Sequence, residues 1–184
     1  MLEKCDPFLI QTFLSQSQSD KSRKLYLSGD TRTMSKDLYF EDFHVGQKFN
    51  SVGSYKVTAA EIKEFGEKYD PQPFHLDEAA GEGSFFHGLA ASGWLTAAIV
   101  MRLRVLSLKV AGGMIGAGAE QMRWTEAVRP GDSIRTEIEV VGVRYSRKRK
   151  EYGVVTTTTL AYNQNNVVVL RATVNFLAPL RPTS

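Results

Sequence analysis

The chain has 184 residues, 42% of them hydrophobic and 23% charged, with 23 Lys and Arg against 20 Asp and Glu for a net charge of +3. That is enough chain for one domain with its own core and too little for a large two-domain enzyme. The small positive excess suits a polyanionic small ligand, and no Lys/Arg block dominates, which disfavours a dedicated nucleic-acid binder. Cys5 is the single cysteine. It excludes an internal disulfide and any zinc site that needs two thiolates from one chain, and fits a reducing, cytoplasmic compartment. The most apolar run, 88–101, falls short of the roughly 18 to 20 residues a membrane span needs. It reads as a buried helix.

Residues 1–33 are set apart by a polar, aperiodic stretch at 15–24 and read as a flexible arm, dispensable or lying ahead of a functional start at Met34. The alternative is an arm docked on a partner subunit through Phe8, Leu9, Ile10, Phe13 and Leu14. A single domain is expected over 34–184. Gly46 marks a turn into a strand at about 47–57. Thr58-Ala59-Ala60-Glu61 is a capping box, and Ile62, Phe65 and Tyr69 fall on one helical face after it. Pro71 disfavours helix at Asp70 and should end this helix. A loop over 71–86 follows, with one helical turn at 77–80.

A long helix is expected from Gly88 to about Leu108, apolar on most sides and therefore wrapped by other structure. Arg102 and Arg104 mark its return to solvent, and Gly112 and Gly113 permit a left-handed cap. The rest reads as strands. Ile134, Thr136, Ile138 and Val140 alternate with Ser133, Arg135, Glu137 and Glu139, and residues 168–176 show the same period. Strands at 154–162 and 117–124 complete the set, with turns at 130–132 and 163–166. One helix against about five antiparallel strands is an α+β layer arrangement of the hotdog type, a sheet wrapped around a long central helix. An uncovered edge strand favours a dimer.

Two stretches can carry chemistry. In Tyr69-Asp70-Pro71-Gln72-Pro73-Phe74-His75, two prolines stiffen the loop between a carboxylate and an imidazole. Held so, the pair can grip one water, one group taking its proton while the other delivers a proton elsewhere. The alternative is a surface Asp and a His that bonds local carbonyls. In His87-Gly88-Leu89-Ala90-Ala91-Ser92, Gly88 opens the buried helix, whose free N–H groups and dipole suit a developing oxyanion. Ser92, four residues on, would share its face and reach Asp70 or substrate. The alternative is that Gly88 and Gly93 only allow close packing. Trp94 and Trp124 read as packing residues and His44 as a structural one, while His87 either helps to position a substrate or is structural.

With these motifs, and with Phe40-Glu41-Asp42-Phe43-His44-Val45-Gly46 and Val128-Arg129-Pro130-Gly131-Asp132, residues 39–179 resemble the MaoC-like dehydratases, which include (R)-specific enoyl-CoA hydratases. Gln72 replaces an Asn frequent in that loop, and Glu126-Ala127 stands where a Pro usually precedes Val128. The resemblance implies a hotdog fold with catalytic Asp70 and His75, an oxyanion-binding N–H at Gly88 and a supporting Ser92. It implies reversible syn addition of water across a trans-2-enoyl thioester, carried by CoA or an acyl carrier protein, within fatty-acyl metabolism. It implies neither metal nor redox cofactor. A homodimer or dimer-based oligomer is expected. The basic run at 144–150 is either a solvated hairpin or, through Arg147 and Arg149, a contact for CoA phosphates, perhaps across a dimer interface. Two other readings keep the fold: a thioesterase, and a non-catalytic acyl-thioester-binding subunit.

Overall fold

The computed structural model describes residues 37–182; the expected arm at 1–33 lies outside them. A 3-10 turn at Phe40–Asp42 leads to β1 (Lys48–Asn50) and β2 (Tyr55–Lys56). The single strand expected at 47–57 is thus two, both pairing with a later strand at Ser133–Tyr145. The break falls at Gly53, whose φ of +78° turns the chain out of the ladder.

Helix α1 (Ala59–Tyr69) starts and stops where expected. Thr58 Oγ1 accepts from the Glu61 N–H at 3.2 Å, but the reciprocal half of the capping box is absent. The Glu61 carboxylate instead accepts from the Tyr55 hydroxyl at 2.5 Å, which holds the Tyr55 pKa up at about 12. The stretch 71–86 carries the helical turn expected near 77–80 as α3 (Glu78–Glu82), and ahead of it a second short helix, α2 (Pro73–Leu76). Pro73 enters α2 at its first turn, where its missing N–H costs nothing. Asp77 caps α3 by accepting from the Ala80 N–H.

Helix α4 (Gly93–Leu108) begins at Gly93, not at Gly88. Ser92 is its N-cap, and Lys109 closes it in the left-handed conformation (φ 40°), the role expected of Gly112 or Gly113. His87 and Gly88 both have positive φ, 50° and 138°, so this pair makes a turn that cannot begin a helix. Arg104 does not mark a return to solvent; it is 2% exposed, beneath the helix.

Strands β3 (Ile115–Trp124), β4 (Ser133–Tyr145), β5 (Tyr152–Tyr162) and β6 (Val168–Pro179) follow. The antiparallel order is β1-β4-β5-β6-β3, with β2 beside β1's partner β4. Ile134, Thr136, Ile138 and Val140 all point inward, as their alternation requires. Ile134 joins Leu95, Ile99, Val100 and Leu103 of α4 in one cluster, and Ile138 and Val140 join Phe43, Leu108, Val155 and Phe176 in another. Each fully buried side chain of this size contributes roughly 2 kcal/mol of hydrophobic free energy. The first cluster lies at the end of the sheet where α4 begins, and it backs the site below. No helix among the described residues is long and apolar enough to cross a membrane.

Candidate active site

Asp70 is the C-cap of α1, and Pro71 behind it prevents another turn. Gln72 donates its N–H to the Asp70 carbonyl at 2.7 Å, and His75 donates its own to the Gln72 carbonyl at 2.9 Å. The chain thereby doubles back, carrying His75 under the end of α1. Gly66 makes the approach possible: a Cβ there would lie 3.1 Å from the His75 carbonyl oxygen.

The His75 ring is 5% exposed. Its Nδ1 lies 2.7 Å from the Ala90 carbonyl oxygen. A carbonyl only accepts, so Nδ1 carries hydrogen and Nε2 is the nitrogen left to meet other groups. Nε2 lies 3.3 Å from Asp70 Oδ2. The Ser92 hydroxyl donates to that same oxygen at 2.6 Å and accepts from the Trp94 N–H at 3.2 Å. Asp70, His75 and Ser92 are therefore in one cluster. Ser92 reaches Asp70 as the helix cap, not from a helical face shared with Gly88.

A cavity of about 600 Å³ opens beside the cluster, lined by His75, Phe86, Gly93, Thr96, Trp124 and Val128 among others. Gly88 does not line it. The Gly88 N–H donates to the Gly81 carbonyl at 2.9 Å, whereas Gly93 lines the cavity. As the first residue of α4, Gly93 carries an N–H with no intrahelical acceptor, at the positive end of the helix dipole. A Cβ on Gly93 would sit 2.9 Å from the Trp124 indole, and Trp124 Nε1 donates to the Gly93 carbonyl at 2.7 Å. Trp124 is a wall of the cavity as well as a packing residue.

Arg129 was not singled out by the sequence. Its guanidinium donates to the carbonyls of Phe86, Gly88 (3.0 Å) and Leu89 (3.3 Å). Below that clamp, Ala90 donates to the Phe74 carbonyl at 3.1 Å and Ala91 to the Val128 carbonyl at 2.9 Å. The carbonyl that orients His75 is thus pinned from both sides. Arg147 and Arg149 are not brought to this site. They lie in the turn from β4 to β5, beyond the end of β4 remote from Val128, and a strand of that length spans about 40 Å.

A model of the MaoC-like domain matches residues 42–165. The chain belongs to the MaoC-like domain family. The MaoC-like dehydratase of Rhodospirillum rubrum superposes with a TM-score of 0.75 at 46% identity, over 79% of this chain and 99% of that one. The R-hydratase PhaJ1 of Pseudomonas aeruginosa gives 0.64 at 27% identity, over 79% and 88%. A double-hotdog protein of Mycobacterium tuberculosis, 17% identical over 80% of this chain and 46% of its own, gives 0.64 and shows the shared fold. This MaoC-like chain is therefore a hotdog protein related to R-hydratases.

Proposed function

We propose that the protein hydrates trans-2-enoyl thioesters, and dehydrates the corresponding 3-hydroxyacyl thioesters, with Asp70 and His75 as the acid–base pair. The observation that carries this reading is the placement of His75 Nε2 against Asp70 Oδ2 at the wall of a cavity that also contains Gly93. With Nδ1 committed to Ala90, the reaction requires one exchangeable proton on the pair, passed between Nε2 and Oδ2.

In hydration, the thioester carbonyl oxygen accepts from the Gly93 N–H. The Asp70 carboxylate takes a proton from water as the water oxygen bonds to the β-carbon. The double-bond electrons move onto the thioester oxygen as an enolate, which the start of α4 stabilises. The Nε2–H of His75 then protonates the α-carbon from the same side, so addition is syn. Asp70 ends protonated and His75 neutral, and transfer between the facing atoms restores the pair. Simple thioester hydrolysis would use the carboxylate and leave His75 without a task. CoA and acyl carrier protein both present the required thioester. Arg147 and Arg149 can meet its phosphates only from a partner chain.

We also propose that the working unit is a dimer. Trp94, Met101 and Val105 form an exposed apolar stripe on α4, and the edge strand β3 is exposed along nearly its whole length.

The test is loss of enoyl absorbance with crotonyl-CoA and longer trans-2-enoyl-CoAs, with free thiol measured in parallel. Asp70→Asn and His75→Ala should each lower kcat by at least about 100-fold while the fold is retained. Full activity in either variant would remove the assignment, and thiol release without hydration would replace it with thioester hydrolysis.

A further inference from the structure

Arg104 is the one buried Lys or Arg among the described residues. Its contacts are all neutral: Nη2 donates to Thr157 Oγ1 at 3.0 Å and approaches Met114 Sδ at 3.9 Å, and Nη1 donates to Thr159 Oγ1. Its Nε is fully enclosed and has no hydrogen-bond partner. Burial lowers its pKa only to about 10, so it remains a cation at neutral pH. A buried charge is costly unless paired, and a plain apolar residue would pack here at less cost.

The position of Arg104 relative to the catalytic end is specific. Gly93 and Arg104 are eleven residues apart on α4 (104 − 93), three turns and about 20°, so they share a face. Their axial separation is about 16 Å, and a long helical side chain slants back toward the N-terminus, shortening it. The cavity is walled on α4 by Gly93 and Thr96. Val100 and then Arg104 follow Thr96 at successive four-residue steps. Across from α4 stand Trp124 at the cavity, Met122 packed on the cluster that contains Val100, and Met114 against Arg104. Unbranched methionines yield readily to an inserted chain.

We propose that Arg104 is the counter-ion of a carboxylate at the far end of the substrate's acyl chain. The substrate class is then the monothioester of an α,β-unsaturated dicarboxylic acid. This rests on the hydratase reading above, in which Gly93 receives the thioester carbonyl.

The experiment compares kcat/KM for trans-2-enoyl-CoAs of six, eight and ten carbons with and without a terminal carboxylate, in the full-length protein and in Arg104→Met and Arg104→Lys. Wild type should prefer the carboxylate at one length by about tenfold or more, because a site built to bind a polar group discriminates strongly against its absence. Arg104→Met should abolish that preference, and Arg104→Lys should keep part of it. A wild-type preference for unsubstituted chains, or an unchanged ratio in Arg104→Met, overturns the proposal while leaving the hydratase reading intact. If no enoyl-CoA turns over, the hydratase reading fails, and calorimetry with the saturated ω-carboxyacyl-CoAs and acyl-CoAs decides the site. Tighter binding of the carboxylate form that is lost in Arg104→Met supports it, and equal binding overturns it.

Discussion

Ser92 donates its hydroxyl hydrogen to the oxygen of Asp70 that faces His75. The residue that starts the central helix therefore also fixes the carboxylate proposed to transfer the proton. Ser92→Ala should lower kcat about 10- to 100-fold with little change in KM, since a hydrogen bond to a charged group contributes about 1.5 to 3 kcal/mol. The variant also loses its cap on Trp94, and its stability to urea should fall by about 1 kcal/mol.

Gly88 and Gly93 separate structure from chemistry. Gly88→Ala places a side chain at φ 138° and should cost about 1 to 3 kcal/mol of stability in a denaturation curve. Its purified folded fraction should retain most of its kcat. Gly93→Ala drives a Cβ against Trp124 beside the proposed oxyanion N–H. It should lose at least about 100-fold in kcat, the cost typical of disturbing such a donor. The opposite pattern would return the oxyanion role to Gly88.

Arg129→Ala removes one side chain from three carbonyls. Amide exchange at residues 86–91 should accelerate well before exchange in β4 or β5 changes. Arg129→Lys should restore protection only partly, because an ammonium cannot present the same planar fork.

Tyr55 supplies a pH signature outside the catalytic range. Its folded-state pKa of about 12 lies above the ordinary value of 10.0, owing first to its hydrogen bond with Glu61. A raised phenol pKa means the folded state favours the protonated form. That stabilisation is complete below pH 10 and is lost as pH rises toward 12. Wild type should therefore lose stability more steeply than Tyr55→Phe across that window, as urea midpoints at successive pH values would show.

Met101→Glu and Val105→Glu place charge on the exposed stripe of α4. Light scattering should show wild type at twice the chain mass and the double variant at the chain mass. A monomeric wild type would remove the dimer.

The strands were legible because β4 and β6 alternate with period two, a pattern that admits one sheet face only. Asp70 and His75 were legible because Pro71 and Pro73 bracket a stretch too stiff to separate them. The start of α4 is harder to read because apolar residues run from Gly88 to Met101 with only Ser92 and Thr96 among them. The correct signal was Ser92, a capping residue directly ahead of Gly93 and Trp94. Arg104 looked like a boundary because its charge outweighs its position, although it falls on the buried face. The roles of Arg129 and Trp124 arise from contacts with residues 31 to 43 positions away, which no local pattern carries.

The segment clamped by Arg129 divides into two parts. On one side, backbone hydrogen bonds from Gly88, Ala90 and Ala91 secure the carbonyl that sets the His75 tautomer. On the other, Phe85 is 90% exposed and His87 lines the cavity mouth. Substitution of Phe85 or His87 can therefore alter what is admitted while the backbone bonds that hold the proposed acid–base pair stay in place. In evolutionary terms, the entrance and the proposed acid–base pair draw on different residues, so single substitutions can tune one of them at a time.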